Sequence, residues 1–154
     1  MARWMAFLRR ILYLQAAVFF VAGLALAVVP RLVLVDLFSE VPQPHYAWIQ
    51  IVGVQAIVLA MFMVLVAQRS EQVWWWSWTF VIVSAAITII AVLNALFGLH
   101  AGHAGWTFYV PLLDRHGSST VLWWLLAAVN AAFTLALLWG LGKTGQERPL
   151  PQAD

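Results

Sequence analysis

Residues 73–97 read VWWWSWTFVIVSAAITIIAVLNALF, a run without a single ionisable side chain. A helix rises about 1.5 Å per residue, so roughly 20 residues cross a bilayer core about 30 Å thick, and this run is long enough to do so. Within lipid, only structures that close their own backbone hydrogen bonds survive, which makes the run a helix. It belongs to a 42-residue stretch, Gln72 to Leu113, free of Asp, Glu, Lys and Arg. Gly98, Gly102 and Gly105, with His100 and His103 among them, interrupt that stretch soon after Asn94. It therefore reads as one span followed by an uncharged cap.

Outward from this run the pattern repeats. Further stretches without acidic or basic residues cover 20 positions (Ile11 to Pro30), 28 (Val41 to Gln68) and 27 (His116 to Gly142). The whole chain is 64% hydrophobic and 9% charged, against roughly half and a quarter in soluble domains. The expected fold is an all-α integral membrane four-helix bundle, with spans at about 11–29, 47–67, 73–97 and 120–141. These form one domain, 1–142, and the polar, Pro-containing residues 143–154 read as a disordered tail. Arg3, Arg9, Arg10 and the Ala25-x-Ala27 pattern give the first span the look of a signal peptide. Its apolar run exceeds the roughly 7–15 residues of such a segment, so it is kept as a helix.

Orientation follows from the basic residues, which cytoplasmic loops retain. Arg3, Arg9, Arg10, Arg69, Lys143 and Arg148 fall on one side, and only Arg31 and Arg115 on the other. Both termini are expected in the cytoplasm, in the cell inner membrane. Tryptophans follow the same map. Trp4, Trp74, Trp75, Trp76, Trp78 and Trp139 lie near the inner interface, and Trp48, Trp106, Trp123 and Trp124 near the outer one. An indole favours the headgroup region, where its ring is half buried and its N–H stays wet. The cations form no stripe on a soluble element, so anionic lipid rather than nucleic acid is their expected partner.

The connections differ in character. Gln68 to Gln72 make a tight inner turn, whereas residues 30–46 and 98–119 are apolar outer segments expected to lie in the interface plane. Inside lipid, close backbone approach replaces apolar burial as the source of helix association. Small-residue stripes serve it in every span: Gly23 and Ala27; Gly53, Ala56 and Ala60; Ser77, Ser84, Thr88, Ala91, Ala95 and Gly98; Ala128, Ala132, Ala136 and Gly140.

The chemistry available is limited. The chain has no Cys, which excludes thiolate catalysis, disulfide exchange and iron–sulfur ligation. None of the four expected spans holds Asp, Glu, Lys, Arg or His, the residues that mark proton relays and coupled transport. Their amides are Gln15, Gln50, Gln55, Asn94 and Asn130. Asn94 and Asn130 are candidates to bond across a helix interface, and Gln50 and Gln55 are further interhelical polar contacts. His45, His100, His103 and His116 all map to the outer side, and His100 and His103 are three apart. They form a candidate metal or haem set with Glu40 or Asp114 as further ligands. Asp36 and Glu40, and Asp114, Arg115 and His116, read as solvated residues of interfacial segments. No nucleophile, phosphate loop or metal motif accompanies them.

Gly23, Leu24 and Pro30 closing the first helix, a short apolar outer segment, and Gln50 and Gly53 opening the second resemble the small four-helix bacterial inner-membrane proteins of the DoxX-like group. The resemblance covers the first 70 residues best. It implies a multi-pass protein, in some members associated with respiratory or quinone-linked complexes. The resulting expectation is a non-enzymatic membrane subunit or accessory protein, associating with itself or with another membrane protein in a larger complex. The alternatives are a haem-, metal-, pigment- or quinone-binding redox protein using the outer histidines, and a small passive channel or exporter formed by oligomers, with Gln55, Asn94 and Asn130 lining its path.

Overall fold

The computed structural model describes residues 2–40, 42, 45–97 and 120–146. The described chain is helical and contains no strand. Helix α1 is Ala2–Val28, α2 is Ala47–Gln68, α3 is a single turn, Ser70–Val73, α4 is Ser77–Phe97 and α5 is Thr120–Gln146. A 3-10 turn, Trp74–Trp76, joins α3 to α4, and a π-helical turn, Leu32–Leu37, follows α1. Four of these helices are long and apolar enough to cross a membrane: Arg3–Val28, Ala47–Gln68, Trp74–Leu96 and Val121–Thr144.

The helix ends differ from the sequence reading for identifiable reasons. α1 starts nine residues earlier than residue 11, because Met5 and Leu8 are buried in the bundle and hold that stretch helical. α5 continues past 141 to Gln146, so residues 143–146 are helix rather than tail. Thr144 is buried there and its hydroxyl donates to the Gly140 carbonyl at 2.7 Å. Lys143 sits in the last turn, where a cation complements the helix dipole. α2 ends at Arg69, whose backbone (φ −110°, ψ 26°) leaves the helical region while its N–H still reaches the Leu65 carbonyl at 3.3 Å. The reversal toward α4 begins here and runs through α3 and the 3-10 turn.

Pro30 lacks an N–H and cannot continue the α1 ladder. The following backbone closes wider rings: the Phe38 N–H bonds the Val33 carbonyl at 3.2 Å, five residues back. Ser39 then takes a left-handed φ of 54°, and the apolar turn ends. Residues 32–37 thus carry short-range structure of their own, and none of them is buried.

The helices pack as two antiparallel hairpins, α1 on α2 and α4 on α5, with α1 also against α5. This arrangement brings the start of α1, the end of α5 and the Arg69 turn to one end of the bundle, the proximal end. The buried core lies in that half: Leu8, Leu12 and Ala16 of α1 meet Met63, Val66 and Ala67 of α2, Phe80 and Val81 of α4, and Leu137 and Leu141 of α5. Phe62 reaches from α2 to Phe80 and to Trp76, edge-on, at 6.4 and 5.8 Å.

Toward the distal end the buried positions lie within the hairpins. On the first they include Gly23 and Gly53, on the second Ala91, Ala127 and Asn130, and Pro30 is buried just beyond α1. A Cβ on Gly53 would stand 2.6 Å from the Ala27 nitrogen and the Gly23 oxygen, so α1 and α2 cross here with their backbones in contact. Only hydrogen fits at that crossing. The stripe expected on α5 behaves differently, since Ala128 and Ala132 are exposed and Ala136 is half-buried. The inward line on α5 is instead Ala127, Asn130, Phe133, Leu137, Leu141 and Thr144. Large side chains supply more contact there than alanine methyls would.

The outer surface decides which solvent suits this fold. In each of the four apolar windows only 22% of residues are buried inside the protein. Val21, Val121 and Leu135 are about two-thirds exposed, at 66%, 68% and 68%. A soluble four-helix bundle hides its apolar stripe and turns charge outward. Here apolar residues cover both sides of each helix.

Candidate functional site

The interior polar groups show what the bundle can do chemically. Gln15, fully buried on α1, donates its Nε2 to Ser84 Oγ on α4 at 2.7 Å. This buried bond links the two hairpins near mid-bundle. The sequence reading placed Ser84 in a packing stripe and Gln15 among the interior amides, but nothing in their spacing paired them. Gln15 Oε1 has no protein partner.

The asparagines act locally. Asn94 Nδ2 donates to the Ile90 carbonyl at 2.8 Å, and Asn130 Nδ2 to the Leu126 carbonyl at 2.9 Å, each four residues back on its own helix. The bond expected between them across the α4–α5 interface is not formed. In lipid, a short polar side chain meets its nearest acceptor one turn back without waiting for a neighbouring helix. Thr88, Thr134 and Thr144 do the same, to Ser84, Asn130 and Gly140. Asn130 is buried and its Oδ1 is without a partner.

Gln50 does bridge helices, donating to the Ala27 carbonyl at 3.2 Å beside the Gly23–Gly53 crossing. Gln55 is exposed on α2. Because Asn94 spends its amide on its own helix, Asn94→Leu is expected to change unfolding free energy by less than about 0.5 kcal/mol. Reversible unfolding in mixed micelles measures this.

On the distal side, His45 is exposed, and Asp36 is exposed on the π-helical turn. His100, His103 and His116, with Asp114 and Arg115, lie outside the described residues. Among the described residues no group of three His, Asp or Glu side chains is close enough to hold a metal ion.

The proximal end concentrates charge and indole. Arg9 Nη2 donates to Ser70 Oγ at 3.4 Å, tying α1 to the turn after α2. Arg3, Arg10, Arg69 and Lys143 are exposed around it. The 3-10 turn fans out three successive indoles: Trp74 packs on the core, while Trp75 and Trp76 face outward with ring centroids 4.9 Å apart. Trp78 and Trp139 are exposed at the same end, and Trp48 and Trp124 at the other. Compared with known proteins, the chain matches no family model, no curated protein sequence and no solved structure.

Proposed function

We propose that this chain is a multi-pass protein of the cell inner membrane, with both termini cytoplasmic, and that it serves as a non-enzymatic subunit or accessory protein. It associates through its outer helix faces with a second copy or with a larger membrane complex. The proximal end, rich in arginine, is the cytoplasmic end under the rule that basic loops stay inside. The layout resemblance to the DoxX-like group points the same way.

The observation that carries this reading is the outward face of α5. Ala128 and Ala132, one turn apart, are exposed, whereas Gly140 on the same helix is buried against Phe7 and Leu8 of α1. Small outward residues let a neighbouring helix approach closely, which is how helices already in lipid gain contact energy.

The test is purification in mild detergent, with mass spectrometry of the complex. The native chain is expected to co-purify with a defined membrane partner or as an oligomer, and Ala128→Leu/Ala132→Leu to lose that association while staying folded. Recovery of the native chain as a discrete monomer would overturn the reading.

A further inference from the structure

The proximal end combines features that the four spans do not need for packing. α1 delivers Arg3 and Arg10, the α2–α3 turn delivers Arg69, and the last turn of α5 delivers Lys143, all exposed. The Arg9–Ser70 bond at 3.4 Å joins two of these sources, so Arg10 and Arg69 flank one contact instead of lying on separate loops. Among the described residues Glu71 is the only acidic one on this end, since Asp36 and Glu40 follow α1 at the distal end. The exposed Trp75, Trp76 and Trp78 stand at the start of α4 on the same end. Indoles there mark the depth at which lipid headgroups lie.

We propose that this end is a docking surface for anionic phospholipid, with Arg10 and Arg69 engaging headgroup phosphates and the Trp75–Trp76 pair resting on the adjoining glycerol and acyl region. The proposal rests on the membrane reading above. Charge complementarity selects the occupant. Each cation near an anionic surface favours it by about 1 kcal/mol, equivalent to about fivefold local enrichment, and zwitterionic lipid offers no such gain. Arginine also matches phosphate with a planar fork of donors.

The experiment reconstitutes the full chain in phosphatidylcholine vesicles containing a small fixed fraction of acyl-brominated lipid, either phosphatidylglycerol or phosphatidylcholine, and reads tryptophan quenching. Brominated phosphatidylglycerol is expected to quench roughly twofold more than brominated phosphatidylcholine. Arg10→Gln/Arg69→Gln is expected to bring the two to parity, and Arg10→Lys/Arg69→Lys to retain the preference. With the native chain alone, 1 M salt is expected to abolish the difference, because screening then acts within about 3 Å. Equal quenching of the native chain by both lipids overturns the proposal and leaves the membrane reading standing. So does a preference that survives salt. Failure of the chain to float with vesicles, with no quenching by either lipid, overturns the membrane reading itself.

Discussion

Gly53→Leu is expected to abolish the folded protein in mild detergent, and Gly53→Ala alone to lower its stability by about 2–3 kcal/mol, at the upper range for overpacking. The reason is geometric. A Cβ at residue 53 would lie 2.6 Å from both the Ala27 nitrogen and the Gly23 oxygen, and both obstacles are backbone. A side-chain neighbour can rotate aside, but a helix backbone moves only with its whole helix. The converse substitution at Gly23 meets the Gly53 oxygen at 2.7 Å, so either glycine alone is enough to break the crossing. Separation of α1 and α2 would also strand Gln50, whose amide reaches the Ala27 carbonyl across the same gap. Gly140→Ala provides the internal comparison. Its Cβ would meet the side chains of Leu8 and Phe7 at 3.4 Å, an ordinary contact, and nothing closer. That variant is expected to stay within about 0.5 kcal/mol of the native chain. Unfolding by a denaturing detergent, followed by circular dichroism, checks both. Similar tolerance of alanine at positions 53 and 140 would disprove the close crossing.

The second large effect concerns the bond between hairpins. Ser84→Ala is expected to destabilise by about 1–3 kcal/mol, because it leaves the Gln15 amide nitrogen buried with nothing to donate to. Gln15 is fully buried, its Nε2 is 2.7 Å from Ser84 Oγ, and its Oε1 is already unpartnered. Gln15→Met, by contrast, removes donor and orphaned carbonyl together while keeping the volume, and is expected to be near neutral. The larger side chain is thus predicted to be the more dispensable partner. A double-mutant cycle should return a coupling between about 0.6 and 1.7 kcal/mol, the average and the maximum for hydrogen bonds between membrane helices. If Gln15→Met proves the more damaging of the two, Gln15 has a further partner that this arrangement does not contain.

The helix inventory was legible from the sequence because the signals behind it are local. Uncharged length, the glycine and proline interruptions, and the charged turn at residues 68–72 each depend on neighbours along the chain. So the expected span of residues 47–67 meets the observed Ala47–Gln68 almost to the residue. Where a boundary is set by contact, it moved: α1 extends to Ala2 because Met5 is buried and Leu8 joins the core formed with the other helices.

Helix faces and polar pairings were a different matter. The alanine stripe on α5 looked like a packing seam, yet Ala128 and Ala132 face outward and Phe133, Leu137 and Leu141 face in. When all sides of a helix are apolar, periodicity no longer distinguishes inside from outside, since lipid and protein interior favour the same residues. The amides show the same limit. A sequence shows which residues can donate, but whether Asn94 turns to Asn130 or back to Ile90 depends on which acceptor is nearest in space. Gln15 and Ser84 are 69 residues apart and meet only because two hairpins dock with their proximal halves together. The number of helices, their apolar lengths and the clustering of cations at one end were therefore properties of the sequence by itself. The Gly23–Gly53 crossing, the Gln15–Ser84 bond and the outward face of α5 were decided by tertiary structure, because each depends on a distance between helices that no local pattern encodes.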